Sequence, residues 1–415
     1  MSAPPVYEAP GSALPAYSPG RRAHGGSRGT TEHIYSLNDA DNNKKLRATL
    51  KVFSSASTPA SLPIYVEGDR IVGSLAIHVP NGEKIVRVCI LMRGEIAVGG
   101  PNWQPTETFK FLDISMPLWS KSSASPPLSG DCHWPLSINI PKDVVLPDFK
   151  QPYANRTYSL PQTFLERNSK VSAFYNLFAR ITLSRNLFHQ DVELQTSFVY
   201  VPALRPDPPS RLRQLAYRSN TSIPGPEIDA EGWYTCPTAL IKGTVFNARK
   251  VQVQCVLFLS KPLSYTRGSV IPCSLTYYCL DRQTLDLIST PSTIDVRLHR
   301  QVTYAPFSNN SVDYAVATND TEECGRAVWW PTSRRSCPPD MRTFEGEIHL
   351  AKTLKPTSAI SQFSLKYFVV MMPAEVVGFS SADTQPLLRQ EVEIGTIFPK
   401  GPKPRSYAPR SYGKH

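Results

Sequence analysis

The chain has 415 residues, with 45 Lys and Arg against 34 Asp and Glu for a net charge of +11; it is 41% hydrophobic and 10% aromatic, with 39 Pro against 22 Gly. This length suits two domains with tails, and the apolar and aromatic content excludes a wholly disordered chain. Proline at nearly twice its usual ~5% argues against long helices, and no apolar run approaches the roughly 18–20 residues of a spanning helix, which argues against an integral membrane protein.

Residues 1–33 are rich in Pro, Gly, Ser and Ala and read as a disordered tail, with Arg21, Arg22 and Arg28 as a basic patch. There is no apolar leader core in the first nineteen residues, so no secretory signal is expected. Pro4, Pro5, Val6 and Tyr7 form a PPxY motif. Adjacent prolines pre-set a polyproline II backbone, so docking costs little entropy, and the aromatic groove of a WW domain accepts that helix with the tyrosine in a neighbouring pocket. Leu14, Pro15 and Tyr17 make a weaker second copy, with Leu in the first slot. Two copies on a flexible tail raise the effective concentration for a partner with several WW domains.

The periodic region begins near Leu46, where "LRATLKVF" alternates with Leu46, Ala48, Leu50 and Val52 on one face. Two extended runs flank a turn at Glu67, Gly68 and Asp69, and residues 84–99 are β-biased throughout. Leu136, Ile138 and Ile140 alternate in the next run, and residues 172–183 and 191–201 read as paired strands. Periodicity stops over residues 203–232, where prolines crowd, and this stretch reads as an interdomain linker. A second β-rich block follows from Tyr234, interrupted by a polar insertion at 305–341 that holds Trp329, Trp330, Cys324 and Cys337. No stretch reads as a convincing amphipathic helix, so a parallel α/β fold is not expected and β-sandwiches are.

Chemistry-bearing motifs are scarce. There is no G-x-S-x-G, Walker A or HExxH, and the eight cysteines show no CxxC pair or zinc spacing. His133 beside Cys132 is the one adjacent Cys/His pair and reads as a loop histidine. No enzymatic activity, metal or cofactor is expected, and the thiols are expected to be reduced and mostly buried. The sequons at Asn155, Asn220, Asn309 and Asn319 read as chance matches. The basic excess is spread over both blocks without a nucleic-acid motif, so no nucleic-acid partner is expected. Lys44, Lys45, Arg47 and Lys51 are the sharpest basic cluster, a candidate contact for an anionic lipid surface or an acidic tail, with a solvated strand face as the plainer reading. Asp383 with Leu387 and Leu388 fits an acidic dileucine signal, against the plainer reading that the two leucines open the last strand. Residues 399–415 read as a basic tail, with Pro404-Arg405-Ser406-Tyr407 repeated at Pro409-Arg410-Ser411-Tyr412.

Several segments, in order, resemble the α-arrestins, the arrestin-related trafficking adaptors, of fungal type. They are "YVEGDRIVGSLAIHV" (65–79), "IVRVCILMRGEI" (85–96), "LSGDCHWPLSINIP" (128–141), "YSLPQTF" (158–164), "KPLSYTRGSVIPCSL" (261–275) and "FEGEIHLAKTLKPTSAISQFSLKYFVVMM" (344–372). The resemblance spans residues 46–397. It implies an all-β chain of two arrestin-like (immunoglobulin-like) β-sandwich domains, at 34–202 and 233–398. It further implies a non-enzymatic adaptor that links a membrane transporter or receptor cargo to a WW-domain HECT-type ubiquitin ligase, acting in the cytoplasm, peripherally at the plasma membrane and endosomes. An arrestin-fold sorting scaffold, retromer-like and without ligase recruitment, is the alternative. The PPxY copies lie N-terminal here, whereas many relatives carry them after the second domain.

Overall fold

The computed structural model describes residues 30–37, 46–80, 84–99, 105–122, 126–147, 154–185, 188–305, 317–332 and 338–409. The first block contains β1 (Thr31–Leu37), β2 (Arg47–Ser54), β3 (Ile64–Val66), β4 (Arg70–Val79), β5 (Ile85–Gly99), β6 (Pro105–Ser120), β7 (Gly130–Asn139), β8 (Asp143–Pro147), β9 (Asn155–Ser159), β10 (Val171–Arg185) and β11 (Phe188–Val201). After helix α1 (Arg211–Ser219), the second contains β12 (Trp233–Thr235), β13 (Ala239–Val245), β14 (Arg249–Ser260), β15 (Ser264–Thr266) and β16 (Val270–Tyr278). Helix α2 (Arg282–Ile288) follows, then β17 (Val296–Tyr304), β18 (Thr318–Pro331), β19 (Met341–His349), β20 (Ser358–Ile360), β21 (Phe363–Met371), β22 (Phe379–Ser381) and β23 (Leu388–Gly395). The chain is all-β, and its curled sheets form β-sandwich-like blocks.

In the first block a sheet ordered β1-β2-β4-β7 faces one ordered β3-β11-β10-β5-β6, with β8-β9 as a separate ribbon. Alternation drives this packing, because a period of two sends every second side chain to the same face. In β2 the inward set is Ala48, Leu50 and Val52, and in β10 it is Val171, Ala173, Tyr175, Leu177, Ala179, Ile181 and Leu183, all buried. β10 and β11 pair antiparallel, from Tyr175 opposite Phe198 to Arg185 opposite Phe188. The turn at Glu67–Asp69 lies where the sequence places it, with Gly68 at φ 92°, a backbone region that costs glycine little.

The second block is one continuous sheet folded over on itself. β18 makes the corner: its first part pairs with β17 and its second, from Ala327, with β19. The stretch expected as a polar insertion therefore contributes a sheet strand, and Trp329 is a core residue at 2% exposure. Its indole lies against Gly346, where a Cβ would come within 2.4 Å of the ring.

Residues 203–232 hold a helix that the sequence reading did not foresee. Ser210 caps α1 by accepting from the Arg213 amide at 3.2 Å, and its hydroxyl also bonds Asp229. The buried face of α1 is Arg213, Ala216 and Tyr217, while Leu212 and Leu215 face solvent. That inverted pattern hides the helix from a hydrophobic-period reading. Arg213 is held by the carbonyls of Lys261 and Gly232 at 2.9 and 2.8 Å and lies over the Trp233 ring. The segment that connects the blocks also bonds to the end of β23: Leu204 donates to the Thr396 hydroxyl, and Thr396 and Ile397 donate back to the Leu204 carbonyl. A second short helix, α2, is capped by Asp281.

Candidate interaction site

The predicted WW-docking residues Pro4, Pro5, Tyr7, Leu14, Pro15 and Tyr17 lie outside the described residues, as do Lys44 and Lys45. Arg47 and Lys51 fall on the outward face of β2, in step with the alternation that buries Ala48 and Leu50. Lys51 is 3.4 Å from Glu32 of β1 and both side chains are well exposed, so this pair is screened and holds little energy. Leu388 opens β23 as a buried residue and Leu387 packs against the core, so the two leucines serve the last strand.

Among the described residues, no group of three or more His, Cys, Asp or Glu side chains is placed to hold a metal ion. Cys132 and His133 sit on β7, with His133 exposed. The seven described cysteines are free; Cys89, Cys236, Cys255 and Cys273 are buried. Among the same residues no helix is long and apolar enough to cross a membrane.

A charge cluster lies between the two blocks, and sequence reading missed it. Phe164 bonds reciprocally with Ala173 through backbone groups at 2.8 and 2.9 Å, and the turn that follows projects Glu166 toward the second block. Arg300 of β17 meets it with a two-pronged bond at 2.8 and 2.6 Å, and reaches Glu322 of β18 at 2.6 Å. The guanidinium lies 5.8 Å from the Phe164 ring centre, and Phe164 packs on Phe363. Burial works against the charge on Arg300, but its bonds to Glu166 and the nearby Glu322 outweigh this and raise its pKa. Arg267 reaches across the same junction to Gln162 at 3.1 Å. Lys355, beside this group, is pushed down, first by burial and further by Arg267 and Arg300, with Glu166 opposing. Glu166 and Gln162 lie in the first block, 134 and 105 residues from Arg300 and Arg267 of the second, so no local spacing could have signalled these cross-block pairs.

Next to Glu166 lies an open groove of about 320 Å³ at the end of β5 and β10, lined by Ala97, Leu165, Arg167, Ser169 and Lys170 among others. Leu165, Arg167 and Lys170 are exposed. Chemically the groove sets the two cations Arg167 and Lys170 and the apolar Leu165 beside the Glu166 carboxylate, which also lines it but is already paired with Arg300, so a mixed peptide with an acidic group suits it better than a small neutral molecule.

No protein-family model matches the chain, and no curated protein matches its sequence.

Proposed function

We propose that this protein is a non-enzymatic trafficking adaptor. Its N-terminal tail binds a WW-domain HECT-type ubiquitin ligase, its sandwich blocks bind the cytoplasmic part of a membrane transporter or receptor, and the bound cargo is ubiquitinated and taken up by endocytosis. One observation carries the reading: a PPVY motif at Pro4–Tyr7 precedes two β-sandwich blocks whose segments, in order, resemble the α-arrestins. The motif supplies a stiff ligand for an aromatic groove, and the blocks supply broad surfaces. The groove beside Glu166, with Arg167 and Lys170, supports an acidic cargo segment as the second partner. The basic outward face of β2 supports a peripheral place at an anionic membrane. No cofactor enters this mechanism.

A pull-down of the full chain with tandem WW domains tests the ligase half. The Tyr7→Ala, Tyr17→Ala double variant is expected to lose binding at least ~10-fold, since the tyrosine fills its own pocket. Wild-type binding by that variant would overturn the reading. If the intact chain ignores WW domains and instead binds endosomal coat components, the ligase-free sorting scaffold takes its place.

A further inference from the structure

Glu347 is a carboxylate that its own strand does not explain. Along β19, Phe344, Gly346 and Ile348 turn to the core, so Glu345, Glu347 and His349 face outward. A carboxylate on an outer sheet face is ordinarily hydrated, yet Glu347 is 2% exposed. What covers it is the chain's own C-terminal segment. The Ser406 hydroxyl donates to one carboxylate oxygen, the Tyr407 amide to the other at 3.0 Å, and the Ala408 amide to the first at 3.3 Å. His349 Nε2 is 2.8 Å from the same carboxylate.

Neighbouring tail residues are held just as individually. The Tyr407 ring stacks on Tyr217 of α1, with centroids 6.3 Å apart and planes 16° from parallel. Arg405 donates to the Asn220 side chain at 2.9 Å, and Asn220 is the left-handed cap of α1. Pro404 lines a small cleft with Tyr217 and Pro272. Residues 399–409 therefore do not behave as the disordered basic tail that their composition suggests. Proline, arginine, serine and tyrosine each have their own partner, which is how a sequence is read and not how a chain end drapes over a surface. The same four residues recur five positions later, at Pro409, Arg410, Ser411 and Tyr412.

We propose that Glu347, Tyr217 and Asn220 form a peptide-binding site for Pro-Arg-Ser-Tyr segments, with the two tail copies as alternative occupants. The ligand class follows from the acceptor. A carboxylate can only accept, so the site requires two consecutive amides and an unmodified serine hydroxyl as donors. A serine carrying a phosphate brings negative charge against Glu347 and is excluded. Tethering gives both copies a high effective concentration, so the occupied state dominates and exchange is a shift by one repeat. This inference stands apart from the adaptor reading and needs no ligase or cargo.

Amide hydrogen exchange on the full chain tests it. In the wild type the Tyr407 and Ala408 amides are expected to be protected. Glu347→Gln keeps the volume but removes the charge, and is expected to lower that protection ~10-fold, the difference between a charge-assisted and a neutral bond. In Ser406→Ala, Tyr407→Ala, protection is expected to move to the Tyr412 and Gly413 amides. Adding Ser411→Ala and Tyr412→Ala should free the tail and let a synthetic peptide of residues 402–412 bind, measured by fluorescence anisotropy, while the same peptide phosphorylated at both Ser406 and Ser411 does not. The tail variants alter only a surface segment, so the blocks stay folded. Unprotected 407 and 408 amides in the wild type, or protection indifferent to Glu347→Gln, would overturn the site. No protection at 412 and 413 in the double variant would overturn the alternation, and binding of the phosphoserine peptide would overturn the stated ligand chemistry.

Discussion

At the scale of single residues, the tightest constraints are steric and protonic. Gly346→Ala would drive a methyl group into the buried Trp329 indole, so a loss of about 1–3 kcal/mol in denaturant unfolding is expected. Trp329→Ala opens a cavity instead, at about 3–5 kcal/mol. Burial alone lifts the Cys236 thiol from its ordinary 9.0 to about 12, and burial first among other causes lifts Tyr217 from 10.0 to about 12. Both are acids that the native state keeps protonated. Their contribution is therefore complete below the unfolded thiol value of 9.0 and declines as pH rises toward 12. Thermal unfolding should show a melting temperature that is steady near neutrality and falls above about pH 9. Cys236→Ala should make the fall shallower. Among the described cysteines, thiol labelling at neutral pH should reach the half-buried Cys132 and Cys279 before Cys255 and Cys273, which should react only after unfolding.

At the scale of elements, what the sequence discloses depends on whether one face alone is apolar. β2 is legible because Ala48, Leu50 and Val52 alternate with Arg47, Thr49 and Lys51, and β10 because its inward set recurs at every second residue even though Phe174 and Phe178 lie on its other face. β18 is not: "TNDTEE" is exposed along its length and looks like loop, because that half is held by pairing with β17 and not by burial. α1 is obscured twice, by the prolines before it and by Arg213 on its buried face, where the neighbouring carbonyls and Trp233 replace water. The docked tail is invisible for a further reason. Its composition is that of a disordered segment, and the groups that hold it, Glu347 of β19 with Tyr217 and Asn220 at α1, lie far away in sequence. The outward position of Arg47 and Lys51 was readable from the β2 period, whereas the ion cluster at Arg300 was not, since it exists only once the blocks meet. The helix rests on its first turn. Ser210→Ala removes both the cap and the bond to Asp229, so about 1 kcal/mol of stability should be lost, read as faster amide exchange along α1.

At the scale of the whole molecule, the described junction joins the blocks through the Arg300–Glu166 ion pair, the Arg267–Gln162 bond, the Phe164–Phe363 contact and the backbone bonds of Leu204. The Arg300 and Glu166 side chains are 13% and 27% exposed, so their pairing is only lightly screened. Glu166→Ala leaves Arg300 with Glu322 alone at that end and should cost about 1–3 kcal/mol of coupling. Solution scattering should report a wider spread of interblock orientations in this variant, and calorimetry should separate two transitions where the intact chain gives one. If both profiles match the wild type, the junction is held by the Phe164–Phe363 contact and the backbone bonds of residues 202–204 instead.

Each block shares one feature that bears on how the chain is made. The short strand β3 lies parallel to β11, and β15 lies parallel to β23, so each sandwich is sealed by its final strand returning beside an early one. A ribosome delivers residues 64–66 long before 199–201, and 264–266 long before 393–395. During that interval a nascent chain carries an unsealed seam with Tyr65 or Tyr265 uncovered. Premature termination inside either block would thus leave a sticky flank for chaperones or proteases, while a stop between the blocks would release a first half already closed.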